Sequence, residues 1–173
     1  MKLFGKITVV AIVTLILSAC SSKEKLVLPE VQNSIKPQKV WQDKVGKGVG
    51  HYESGLKPVI VDDTVYAASR NGIVVAKNLS NGRTLWSFDL RTEGSSSLLS
   101  RFSSDTARIA GGVAFNNNML YLGTEDGEVF ALNAQDGQLL WRVAVKGEVL
   151  TSPAVGEGLV VVATTAGNLV ALD

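Results

Sequence analysis

The chain has 173 residues, 46% of them hydrophobic and 19% charged, the proportions of a folded globular protein rather than a disordered one. Its 17 Lys and Arg nearly balance 16 Asp and Glu, for a net charge of +1, which implies no basic face for nucleic acid and no acidic tail. The single histidine, His51, rules out a histidine-based metal cluster or catalytic dyad within these residues.

At the N-terminus Lys2 and Lys6 precede the apolar run ITVVAIVTLIL, and LSAC follows. Residues 1–19 therefore have the layout of a secretory signal peptide. The apolar run, Ile7 to Leu17, is shorter than the roughly 20 residues a membrane-spanning helix needs. Leu17, Ser18, Ala19 and Cys20 resemble the bacterial lipobox, which implies cleavage before Cys20 and acylation, with palmitate among the chains attached. Cys20 is the only cysteine, so no intramolecular disulfide competes for it. In lipoproteins of this kind a Ser rather than an Asp after the cysteine, here Ser21, points to the outer membrane, facing the periplasm. More than one acyl chain gives stable anchoring. Residues 20–38 are polar, carry two of the four prolines and show no period, as expected of a flexible tether from the lipid.

Three later segments align without gaps on their glycines: TVYAASRNGIVVAKNLSNGRTLW, MLYLGTEDGEVFALNAQDGQLLW and LVVVATTAGNLVALD. Gly72 and Gly127 are 55 residues apart, as are Trp86 and Trp141, whereas Gly127 and Gly167 are 40 apart. The link from tryptophan to next strand absorbs the difference: 27 residues from Trp86 to Val113 against 12 from Trp141 to Pro153. The basic unit is thus 40 residues, with one 15-residue insertion. Each unit reads as short apolar or alternating runs separated by turns, and no run after residue 20 keeps a helical period. Four short strands in about 40 residues is the pattern of a β-propeller blade, and a β-sandwich would not predict the registered Gly and Trp positions.

The fold class is therefore all-β: a partial β-propeller over residues 39–173, with blades at 58–90 and 112–145 and an incomplete one at 153–173. Trp41, in KVWQDKVGKG, extends the pattern backwards and makes residues 39–45 a candidate closing strand for a blade whose other strands lie elsewhere. Because the sequence reaches Asp173 in a third strand, the expectation is a longer protein. Residues 21–173 by themselves would expose strand edges and blade faces, and a cooperative monomeric melt of that piece would contradict this.

Glu125, Asp126 and Glu128 have the oxygen ligands a Ca²⁺ site uses. The other copies of this turn read SRNG and TTAG, without the acids, so the Asp-Gly is read as a hairpin turn in which glycine takes positive φ. Gly82 and Gly137 occupy the second turn of each unit. Trp41, Trp86 and Trp141 could stack a ring-shaped ligand or a glycan, but their repeated place makes them interblade packing residues. The insertion, Arg91 to Gly112, breaks the repeat. Its Leu98, Leu99, Arg101, Phe102 and Arg108 suit partner contact; a loop that merely covers one blade is the competing reading.

VFALNAQDGQLLW and NLVALD, with the weaker VVAKNLSNGRTLW, resemble the repeats of pyrroloquinoline-quinone-type propellers, whose Ala-Leu-Asn/Asp, Gly and Trp positions interlock successive blades. Lys77 stands where Leu132 and Leu172 stand, and Ser80 also departs from the pattern, so the first blade is the least typical. With the lipobox, the short tether and GVGHYESGLKPVIVDDTVYAASRNG, the chain resembles a lipoprotein family of the outer-membrane β-barrel assembly (Bam) complex. That resemblance implies eight blades, attachment to the outer membrane, binding to BamA, assistance to unfolded outer-membrane protein precursors, and neither enzyme activity nor cofactor. Quinone-dependent periplasmic dehydrogenases share the repeat type and are the alternative. Their sites use an adjacent cysteine pair, which this sequence does not contain.

Overall fold

The structure, a computed structural model, describes residues 34–51, 55–92 and 107–173. Gln38–Asp173 form one compact unit. Its described residues form eleven strands in three antiparallel sheets.

The first sheet runs β1 (Val59–Val61), β2 (Thr64–Ala68), β3 (Ile73–Asn78), β4 (Thr84–Asp89). The second repeats it with β5 (Ala114–Asn116), β6 (Met119–Gly123), β7 (Glu128–Asn133) and β8 (Leu139–Ala144). The third has β9 (Ala154–Gly156), β10 (Leu159–Ala163) and β11 (Leu169–Leu172). Each strand pairs with its sequence neighbour, so every sheet is a meander of the kind that forms a propeller blade. Among the described residues the helical content is one 3-10 turn, Leu90–Thr92.

The period-2 alternation of strands explains how the blades stack. In β7, Phe130 and Leu132 face the first blade and pack with its Val74, Ala76 and Tyr66. Val129 and Ala131, which alternate with them along the strand, face the third blade with Val160 and Val162. Both faces of β7 are buried, which is why the run EVFALN is apolar almost throughout. Both complete blades also share an irregularity: the β3–β4 register shifts between Ala76 and Lys77, and the β7–β8 register between Ala131 and Leu132. The unmatched residues, Leu85 and Leu140, precede the tryptophans and are exposed. A bulge at this point re-aims the side chains that follow it.

Residues 39–45, expected as a closing strand, form no strand. A β-strand is defined by its ladder, and the described residues offer this segment no neighbouring strand. It is held by side chains instead, as described next.

Candidate functional site

Each blade's second turn begins at an asparagine and ends at a glycine. The Gly82 N–H donates to the Asn78 carbonyl at 2.9 Å, and the Gly137 N–H to the Asn133 carbonyl at 2.8 Å. The Asn78 carboxamide accepts from the Ser80 and Asn81 amides, and that of Asn133 from the Gln135 amide, so these side chains cap the turn locally. The turn presents the Leu79 carbonyl in the first blade, and that of Ala134 in the second, to a tryptophan of the neighbouring element. Trp41 Nε1–H donates to Leu79 O at 2.7 Å and Trp86 Nε1–H to Ala134 O at 2.9 Å. The indoles lie on the turn glycines: a Cβ on Gly137 would fall 2.5 Å from the Trp86 ring, and one on Gly82 2.8 Å from the Trp41 ring. Glycine is needed twice over here, since φ is +76° at Gly137 and +71° at Gly82. Tyr66 and Tyr121 back Trp86 and Trp141 at ring separations of 6.0 and 5.9 Å, and burial raises both phenol pKa values. Trp141 itself borders an open cleft of about 360 Å³ with Arg142, Val143, Leu172 and Asp173.

The first turns lie at the opposite end of β3 and β7, and the one leading into β7 carries the acids. Gly72, Gly127 and Gly167 have φ of +97°, +75° and +79°, the conformation a hairpin glycine takes. The acids have partners as well. Glu125 accepts two hydrogen bonds from Arg70, at 2.9 and 2.5 Å, joining the first turns of neighbouring blades. Asp126 pairs with Arg108 at 3.1 Å and Glu128 lies 3.7 Å from Arg142. Repeat comparison found the turn but not these pairs. The available signal was that Arg70 and Glu125 occupy the same repeat position with opposite charge.

The root of the insertion is tied to this end. Arg108, at φ +40°, gives its carbonyl to the Glu125 N–H, Ile109 N–H donates to the Arg70 carbonyl, and Ile109 bridges Thr124. Ile109 is fully buried. Arg108, one of the residues expected to meet a partner, thus anchors the insertion through backbone and side chain. Leu98, Leu99, Arg101 and Phe102 lie outside the described residues, as does Cys20. His51 is exposed in its loop. Among the described residues no three His, Cys, Asp or Glu side chains form a group that could hold a metal ion.

A third contact was not expected from the sequence. Lys77, buried in β3, donates to Asp43 Oδ2 at 2.5 Å and to Thr84 Oγ1 at 2.8 Å. The Lys77 hydrogen bond, helped by the Lys44 backbone amide, holds the Asp43 carboxyl below the usual aspartate range. Arg91, through its side-chain hydrogen bonds, does the same to Asp89.

Comparison with known proteins places this geometry. The family described as "Outer membrane protein assembly factor BamB" matches residues 34–101 and 93–173. The protein of that name from Yersinia pestis is 41% identical over 165 residues, covering 91% of this chain and 41% of the relative. The chain thus spans about two fifths of the length of that relative. The crystal structure of BamB from Moraxella catarrhalis superposes with a TM-score of 0.55 at 26% identity, over 70% of this chain and 33% of that one. The quinohemoprotein alcohol dehydrogenase of Comamonas testosteroni superposes with a TM-score of 0.50 at 24% identity over 64% of this chain and 17% of its own, a likeness of fold alone.

Proposed function

We propose a scaffold function for this chain, which belongs to the family of the outer membrane protein assembly factor BamB. On this reading it is a non-enzymatic lipoprotein of the Bam complex. It binds BamA, faces the periplasm from the outer membrane through lipid on Cys20, and assists the folding and insertion of outer membrane proteins, with their unfolded precursors as possible ligands. The family match over residues 34–173 is the observation that carries it.

The geometry supplies a physical basis for such a role. A scaffold must hold recognition loops on a body that does not yield when a partner binds. Here the body is built by the tryptophan locks and by apolar faces buried on both sides of β7. The non-repeating insertion is then pinned at Arg108 and Ile109 to the first turns of two blades. Leu98, Leu99, Arg101, Phe102 and Arg108 are proposed to take part in partner contact, with Arg108 also fixing the root.

Affinity isolation of the full chain from solubilised outer membranes tests this. BamA is expected among the recovered proteins, and Cys20→Ala is expected to move the protein out of the membrane fraction. Loss of BamA, together with a quinone absorbance band on adding pyrroloquinoline quinone and calcium, would instead support the dehydrogenase alternative.

A further inference from the structure

The tryptophan lock is the same at the first two junctions and cannot tell one strand from another. Nothing in it prevents the Trp86 or Trp141 strand from docking where the Trp41 segment docks. Repeat proteins are exposed to such exchanges, because every unit offers its neighbours nearly the same surface. The side chains beside the lock differ. Two residues after the tryptophan stand Asp43, Phe88 and Val143. On the blade that each faces, the matching position of the third strand holds Lys77, Leu132 and Leu172. Phe88 packs in an apolar cluster with Leu132, and Val143 in another with Leu172. Asp43 meets Lys77 in an ion pair at 2.5 Å.

We propose that the Asp43–Lys77 pair is an address for the first junction: the face of the first blade that carries Lys77 accepts the segment with an aspartate two residues after its tryptophan and rejects the strands that serve the other junctions. The rejection comes from desolvation. The Lys77 side chain is 5% exposed, so a Phe or Val in place of Asp43 would leave its ammonium buried with only Thr84 Oγ1 as partner. A buried charge without its counterion costs far more than the pair contributes when formed. In the other direction, the Asp43 carboxylate placed against Leu132 would face only carbon. The seat is completed by the Lys47 N–H, which donates to Asn71 Oδ1 at 3.1 Å, and by Gly46, whose missing side chain leaves room for Ser69 and Asn71. Asp43 keeps 50% of its side chain exposed, so the address is asymmetric: the lysine is committed and the aspartate is not.

Hydrogen exchange of residues 39–48 in the full chain reads the docking directly. The variants are Asp43→Val, Lys77→Leu and the two combined, each with and without peptides spanning residues 84–90 or 138–145. Breaking the pair from the aspartate side should speed exchange about tenfold, while Lys77→Leu should change it by less than about threefold, because only the first strands a buried charge. The combined variant, with an apolar pair like those of the other junctions, should return to within about threefold of the parent and shows that Asp43→Val acts through Lys77 rather than by misfolding. Neither peptide should speed exchange in the parent, and both should do so in Lys77→Leu and in the combined variant. Equal effects of the two single substitutions, or equal displacement by peptides in parent and Lys77→Leu, would overturn the proposal.

Discussion

At the first junction Trp41 donates to Leu79 O, and beside it Asp43 reaches Lys77; at the second, Trp86 donates to Ala134 O, and beside it Phe88 and Leu132 share an apolar core. The lock is common and its surroundings are opposite in chemistry. In the second, covalent continuity already sets the neighbour: β4 leads through the insertion into the next blade, and burial of apolar surface has only to hold it. In the first, a segment that pairs with no strand among the described residues must find its seat, and a charge pair gives less net stability than an apolar one but more selectivity. The difference between the junctions is one between affinity and address.

The comparison can be broken most severely at the second junction. Leu132→Lys places an ammonium opposite Phe88 with no aspartate to meet it and should cost about 4 kcal/mol or more, read as a lowered denaturation midpoint. Adding Phe88→Asp should recover part of the loss, because it copies the first junction into the second. Trp86→Ala removes the lock itself and should cost about 3–5 kcal/mol. Arg70→Met, which strands Glu125 between two blades, should cost about 1–3 kcal/mol and loosen the insertion root, visible as faster exchange at Ile109. The smallest effect is on pH. The Asp43 and Asp89 carboxyls are held below their usual range by Lys77 and Arg91, so their contribution is complete above about pH 4, the ordinary aspartate value, and is lost as pH falls through the lowered values. Protection of residues 39–48 should therefore be flat from neutral pH to about pH 5 and decline below about pH 4.

Much of this architecture is legible in the sequence because a repeat provides its own controls. The 55-residue offset shared by glycine and tryptophan marks the blades, and the variable SRNG, TEDG and TTAG show that glycine, not the acids, makes the turn. Contacts that differ from blade to blade escape the same method. The Arg70–Glu125 pair joins two positions that alignment treats as equivalent, and Asp43–Lys77 joins two separate departures from the pattern. Averaging over copies hides both. Residues 39–45 carry the tryptophan of a closing strand, but a ladder also needs a neighbour to pair with, and the described residues offer none.

The repeat builds the body, and the insertion that departs from it is the proposed partner contact. Deleting Ser95 to Asp105 from the full chain, with the root at Arg108 and Ile109 intact, tests it in one measurement: BamA recovered on affinity isolation, compared at an unchanged thermal midpoint. A large fall in recovered BamA is expected. Recovery at the parent level would contradict it and assign the insertion to covering a blade.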